Sequence, residues 1–200
     1  MARVFVITGP SGVGKGTLIR GLMERLPQLR LSVSATTRRP RPGERDGVDY
    51  YFLTPEEFDR HVQDGDFVEH AEYAGRSYGT LHSELESAQG ERGEQGLEPP
   101  GGAGQDPDRP VVLEIEVQGA RQVRRSVPDA VQVFIAPPSL EALRTRLIGR
   151  GTDDPEEVER RLRVAEQELT AQPEFGHVVV NDRLDDALER LRAIVEGELD

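Results

Sequence analysis

Residues 3–26 fix how the chain must begin. An apolar run, Arg3-Val4-Phe5-Val6-Ile7-Thr8, leads into a turn with glycine at 9, 12 and 14, and then into Thr17 to Leu26, where Leu18, Ile19, Leu22 and Leu26 recur at helical spacing. The unbroken apolar run predicts a strand buried on both faces, which is the habit of parallel sheets covered by helices. Between strand and helix, Gly9 to Lys15 spell G-x-x-x-x-G-K, a pattern whose glycines let successive N–H groups and the helix N-terminus converge on phosphate oxygens. Gly9, Pro10, Ser11, Gly12, Val13, Gly14, Lys15, Gly16 and Thr17 are therefore the expected nucleotide-phosphate residues. Gly16 stands where the pattern wants Ser or Thr, and Thr17 follows it, so the hydroxyl that assists Mg²⁺ is displaced by one position or acts through water.

Of the 25 basic residues 24 are arginine, and the single lysine is Lys15. A compact ammonium on a flexible stem suits the outer phosphates in a way that a flat guanidinium does not. The formal net charge is −12, which argues against a nucleic-acid partner or an anionic membrane, since both need an extended basic face. Positive charge is local instead. It gathers at Arg38-Arg39-Pro40-Arg41 and again at Arg144, Arg146, Arg150, Arg160, Arg161 and Arg163, while Arg124-Arg125 reads as a solvated face. Two hundred residues with 36% hydrophobic content suit one α/β core with small subdomains grafted on. Without cysteine, an apolar run near the roughly 18 residues of a membrane span, or a leader ahead of the first strand, a cytoplasmic protein is expected. No obligatory protein partner is evident.

Further along, Leu29 to Ser34 alternates as a strand, Thr36 to Gly47 is a loop rich in Arg, Pro and Gly, and Asp49 to Phe52 is a short strand. Thr54-Pro55-Glu56-Glu57 has the form of a capping box and predicts a helix to about Gln63. Phe67 to Tyr73 is another strand, turning at Ala74-Gly75 toward Tyr78-Gly79-Thr80. Strands are expected at 111–117, 131–136 and 178–180, and helices from the Ser139 cap to Ile148, from Pro155 with Val158, Leu162, Ala165 and Leu169 on one stripe, and from Leu184 to Leu199. Strands alternating with helices imply a central parallel sheet flanked by helices. Residues 90–110 carry six glycines and four prolines with no periodicity, and predict a passive, flexible insertion at small loop-closure cost.

The segment Ser34-Ala35-Thr36-Thr37-Arg38-Arg39-Pro40-Arg41-Pro42-Gly43-Glu44 resembles guanylate kinase, as do Gly47-Val48-Asp49-Tyr50, Phe67-Val68-Glu69-His70-Ala71, Tyr78-Gly79-Thr80, Gly149-Arg150-Gly151-Thr152 and Val180-Asn181-Asp182. The resemblance spans nearly everything outside residues 81–110. It implies a phosphate-loop nucleotide kinase with a small mixed α/β GMP-binding subdomain and a mobile lid, moving the γ-phosphoryl of ATP to GMP with Mg²⁺. The resemblance divides the chain into core (1–33, 111–145 and 166–200), GMP-binding subdomain (34–89), insertion (90–110) and lid (146–165). Arg38, Arg41, Tyr50 and Tyr78 match the clamp on the GMP phosphate, where guanidinium forks and phenol hydroxyls donate. Glu69 matches the acid on the guanine edge, and Ser34 and Thr80 the hydroxyls suited to O6 and N7. A carboxylate accepts from guanine N1–H and its amine, whereas adenine would leave it unsatisfied. Arg146, Arg150 and Arg161 match the lid arginines that neutralise charge during transfer, together with Lys15 and Arg38, and Asn181 matches a residue near the adenine.

The chain departs from the family at Glu114-Ile115-Glu116, where Asp-Ile-Asp is common. Each carboxylate moves outward by about 1.5 Å. Glu114 matches the position that organises Mg²⁺ and its waters, and Glu116 a second acid facing the guanine amine; Glu116→Asp is expected to leave activity within about tenfold. The alternative is a catalytically silent guanylate-kinase-like module that binds a phosphopeptide, but such modules generally lack a working phosphate loop. A kinase for AMP or a nucleoside is opposed by Glu69 with Ser34 and Thr80, and a GTPase by the missing N-K-x-D motif.

Overall fold

Strand β1 (Val4–Thr8) is buried along its whole length, and so is β8 (Val131–Ala136), its parallel partner, in register from Phe5 opposite Val131 to Thr8 opposite Phe134. Strand β9 (His177–Val180) continues the parallel order on the far side of β8, from Val133 opposite His177 to Ala136 opposite Val180. These are the expected helix-covered strands, with Phe5, Ile7, Phe134 and Ile135 fully buried. The computed structural model describes residues 3–73, 75–85, 109–149 and 155–199. Of the insertion predicted over 90–110, residues 90–108 lie outside the described residues.

The chain forms two compact units, divided within β1 after Val4 and within β7 (Val111–Glu114) after Leu113. The phosphate-loop unit holds Phe5–Gln28, Glu114–Val117 and the described residues of Val131–Asp200. Its helices are α1 (Lys15–Arg25), α4 (Leu140–Gly149), α5 (Pro155–Leu169) and α6 (Leu184–Gly197). Helix α1 approaches α6 closely at Gly21, where a Cβ would stand 2.6 Å from a Leu188 methyl. Helix α4 begins as expected, with Ser139 Oγ accepting from the Ala142 N–H at 3.1 Å, and buries Leu143 and Leu147.

The mixed-sheet unit holds the described residues of Met1–Val4, Leu29–Leu113 and Gln118–Ala130. Strand β2 (Arg30–Leu31) pairs in parallel with β7, Arg30 opposite Val111. A separate four-stranded sheet has the order β4-β3-β6-β5, from β3 (Ala35–Thr36), β4 (Tyr51–Phe52), β5 (Phe67–Tyr73) and β6 (Arg76–Leu81). Helix α2 (Pro55–Asp64) starts on the full Thr54/Glu57 capping box, ends on Gly65 at φ 76°, and contributes Phe58 to a small core with Ala35, Tyr51, Phe67 and Leu81. Phe58 and Phe67 stack at 4.6 Å.

Two sequence expectations need correction. The strand expected over 29–34 ends at Leu31, and the next begins at Ala35, because the chain leaves one sheet for the other. Ser32 N–H still bonds Val112 O at 2.9 Å, but Val33 N–H is taken by the buried Glu84 carboxylate at 3.0 Å. The strand expected over 111–117 ends at Glu114, and Val117 opens a helix, α3 (Val117–Ser126), that the sequence reading missed. Its buried Val117, Ala120 and Val123 fall three apart, a stripe too narrow to stand out among the arginines. Gln122 on α3 grips the β5 edge at His70, accepting from its N–H at 3.2 Å and donating to its carbonyl at 2.7 Å.

Candidate active site

In the phosphate-loop unit, the turn after β1 is set by close approach as much as by backbone freedom. Gly9 has φ 140°, and a Cβ there would stand 2.2 Å from Ile135 O; Gly14 has φ 100°, and a Cβ there would stand 2.7 Å from Asn181 Nδ2. No other residue fits either place without moving backbone or the Asn181 side chain. The Lys15 ammonium lies back along the loop and donates to the carbonyls of Gly9 and Pro10. Helix α1 begins at Lys15, so the first-turn N–H groups of Lys15, Gly16 and Thr17 open onto the loop.

Long-range contacts brace this loop from behind. Val13 O accepts from Asn181 Nδ2 at 2.8 Å and from Arg146 Nη1 at 3.2 Å, and Arg146 Nη2 donates to Asn181 O at 2.8 Å. Asn181 is buried, and its own N–H bonds Ala136 O at 2.8 Å. Arg161 Nη2 donates to Ser11 Oγ at 2.7 Å. Arg150 lies outside the described residues. Glu114 reaches the start of α1, where a Cβ on Gly16 would be 3.8 Å from both carboxylate oxygens. Burial pushes the Glu114 carboxyl up; Lys15 opposes this and Glu116 adds to it.

In the mixed-sheet unit, Glu69 on β5 and Thr80 on β6 are direct cross-strand neighbours, and Thr80 Oγ1 donates to Glu69 Oε1 at 2.7 Å with both side chains buried. Gly79 lets the strands close over this pair, for a Cβ there would lie 2.9 Å from Glu69 O. Tyr50 and Tyr78 meet edge to face at 6.3 Å, and the Arg38 guanidinium lies 5.1 Å from the Tyr50 ring centre and 5.6 Å from that of Phe52. Arg38 also forms a two-pronged pair with Glu44, at 2.9 and 3.0 Å, and Glu44 accepts the Arg41 N–H at 2.7 Å. The hydrogen bond from Arg38 holds the Glu44 carboxyl below the usual carboxylate range, and Glu44 in turn raises Arg38. Ser34 sits on the entry to β3, its carbonyl accepting the Tyr51 N–H at 2.9 Å.

A family model described as guanylate kinase matches residues 1–198. The chain belongs to the guanylate kinase family. It is similar to the guanylate kinase of Synechococcus sp. (strain CC9311), 51% identical with 96% of this chain and 92% of that one covered. It is also similar to that of Streptomyces coelicolor, 48% identical with 96% and 89% covered. Among solved structures, the crystal structure of guanylate kinase from Anaplasma phagocytophilum matches with a TM-score of 0.71 at 30% identity, over 98% of this chain and 86% of that one. As a guanylate kinase the chain is an enzyme, a nucleoside monophosphate kinase.

Of the expected site residues of this guanylate kinase, Ser34, Arg38, Arg41, Tyr50, Glu69, Tyr78 and Thr80 belong to the mixed-sheet unit. Those from Gly9 to Thr17, with Glu114, Glu116, Arg146, Arg161 and Asn181, belong to the phosphate-loop unit. Sequence reasoning missed Glu44 as the partner of Arg38.

Proposed function

We infer that this enzyme moves the γ-phosphoryl of ATP to GMP, and to dGMP as well, giving ADP and GDP. The buried Glu69–Thr80 pair carries the choice of acceptor. A carboxylate oriented by a neighbouring hydroxyl offers lone pairs to guanine N1–H and the exocyclic amine, and an acceptor with a bare ring nitrogen would leave it desolvated and unpaired. Because Thr80 directs its hydroxyl hydrogen at Glu69, Ser34 is the better placed donor for O6. Arg38 and Arg41, with the Tyr50 and Tyr78 hydroxyls, take the GMP phosphate, and Glu116 serves as the second acid toward the guanine amine.

On the donor side, Lys15 and the N–H groups from Gly9 to Thr17 hold the ATP phosphates. Transfer passes through a loose transition state, so alignment and neutralisation do most of the work. Lys15, Arg38, Arg146, Arg150 and Arg161 supply positive charge, and closure of the segments 34–80 and 146–165 excludes water that would intercept the transferred group. Asn181 belongs to the ATP side through its hold on Val13 and the α1 end of the loop.

The residues present fit a Mg²⁺ ion carried in with ATP. Among the described residues no three His, Cys, Asp or Glu side chains gather as a metal cage, whereas Glu114 lies beside the start of α1, with Lys15 and Glu116 close enough to act on its charge. Mg²⁺ keeps most of its waters and is usually held by one or two carboxylates plus substrate phosphates. Glu114 and the Thr17 hydroxyl would hold it, directly or through water, and when bound it would neutralise charge on the β- and γ-phosphates.

Among the described residues no helix is long and apolar enough to cross a membrane. No observation favours a silent phosphopeptide-binding module, since Lys15 and the loop glycines are all present. The test is product analysis: ATP, Mg²⁺ and GMP incubated with the enzyme should give ADP and GDP in equal amounts by anion-exchange chromatography. ATP left intact beside GMP would contradict the assignment.

A further inference from the structure

Glu84 is a buried acid that the transfer reaction leaves unused. It closes a single 3₁₀ turn, His82–Glu84, directly after β6, and only 3% of it is exposed. The turn is itself well mounted. His82 N–H bonds Asp66 O at 2.8 Å, Leu85 N–H bonds His82 O at 2.8 Å, and Arg30 donates to the Glu84 carbonyl. From that mount the two carboxylate oxygens part. Oε2 accepts the Val33 N–H at 3.0 Å and lies 3.8 Å from Arg30 Nη1, while Oε1 accepts the Tyr51 hydroxyl at 3.1 Å.

Both groups held in this way adjoin residues assigned above to GMP. Val33 lies on the crossing from β2 to β3, one residue past the Ser32 bond to Val112 O, and a side chain there takes the place of a strand. Ser34 is the next residue. Tyr51 opens β4, directly after Tyr50, and its own N–H bonds Ser34 O at 2.9 Å. Burial pushes the Tyr51 phenol up, and Glu84 adds to this, so the hydroxyl keeps its proton and stays a donor. An apolar residue at 84 would avoid the desolvation cost of a buried acid, but would leave the Val33 N–H and the Tyr51 hydroxyl without this acceptor.

We propose that Glu84 is a positioning residue for GMP, whose two oxygens set Ser34 and Tyr50 at their working separation before the nucleotide arrives. When one hold is lost, the ordering cost falls on GMP binding. The action needs reach and not charge. Glutamine has the same length, and can accept from the Val33 N–H while donating to the Tyr51 oxygen. Aspartate keeps the charge but is shorter by about 1.5 Å and cannot hold both groups. The proposal rests on the acceptor-side assignment of Ser34 and Tyr50, and it is tested by binding alone so that it stands apart from phosphoryl transfer.

The experiment is calorimetric titration of the full-length enzyme with GMP, and separately with ATP and Mg²⁺, for the parent, Glu84→Gln and Glu84→Asp, at a temperature where thermal melts show each protein folded. A clasp that served only the fold would move the melts and leave both affinities alone. The expected result is GMP affinity within about threefold of the parent for Glu84→Gln, a loss of about tenfold or more for Glu84→Asp, and ATP affinity within about threefold for both. A smaller GMP loss in Glu84→Asp, a parallel loss for ATP, or a GMP loss in Glu84→Gln as large as in Glu84→Asp would overturn the proposal. Should either variant fail to fold, Tyr51→Phe, which removes one hold, decides: a GMP loss of about fivefold or more with ATP affinity unchanged supports the clasp, and a smaller loss overturns it. A parent that binds no GMP would sink the acceptor-side reading and the proposal with it, whereas a parent that binds GMP no more tightly than Glu84→Asp sinks the proposal alone.

Discussion

The Thr80 hydroxyl donates to Glu69 Oε1 at 2.7 Å, with 0% and 2% of the two residues exposed. A carboxylate buried so completely needs its orientation fixed, and the cross-strand hydroxyl fixes it. Thr80→Val keeps the shape and removes the donor. Its expected effect is a rise in KM for GMP of about tenfold, and Glu69→Gln should cost about 100-fold in kcat/KM for GMP, in line with losing bonds to a buried charge. Steady-state kinetics with GMP varied at saturating ATP measures both. KM for ATP should stay within about threefold.

Lys15 is the only lysine among 25 basic residues, and its ammonium already folds back onto the loop at Gly9 and Pro10. A guanidinium is planar and larger, and cannot stand in for a compact point charge on a flexible stem. Lys15→Arg is therefore expected to be nearly as damaging as Lys15→Ala, each lowering kcat by about a thousandfold or more. Activity of Lys15→Arg within tenfold of the parent would show that charge alone suffices there.

Asn181 shows where the chain's motifs speak and where they do not. Val180-Asn181-Asp182 prompts the match of Asn181 to a residue near the adenine, a role still to be tested, but its bond to Val13 O is not legible there, because a contact between positions 168 residues apart leaves no trace in local spacing. The same holds for Arg161 and Ser11. Strand β1, the loop and α1 were readable because strand burial, positive-φ glycines and helical spacing are local. The passage from β2 to β3 was not, because alternation in Leu29 to Ser34 looks the same whether one sheet or two receive it. Helix α3 was hidden by an apolar stripe of three small or medium side chains.

If Asn181 acts by bracing the loop, Asn181→Ala should raise KM for ATP and for GTP as donor by the same factor, about tenfold. If it reads the adenine, the ratio of kcat/KM for the two donors should change instead. Kinetics with each donor at fixed GMP separates these outcomes.

Glu57 closes the capping box of α2, accepting the Thr54 N–H at 2.8 Å. That bond, aided by the Thr54 hydroxyl, holds its carboxyl below the usual carboxylate range. A depressed folded value stabilises above the unfolded pKa of about 4.3, and the contribution disappears as pH falls through the lower folded value. Thermal melts should place Glu57→Gln about 1–3 °C below the parent at pH 7. The difference should close near pH 3, and a constant gap across that range would rule out the ionised carboxylate as its source.

The most direct measurement of the account is the coupled assay for ADP release from ATP and Mg²⁺, run across GMP, dGMP, AMP, CMP and UMP with the parent and Glu69→Gln. The parent should use GMP and dGMP at least about 100-fold better in kcat/KM than the other three, and Glu69→Gln should lose most of that preference. AMP turned over as well as GMP by the parent, or a preference for GMP that survives in Glu69→Gln, would contradict the claim that the buried acid chooses the acceptor.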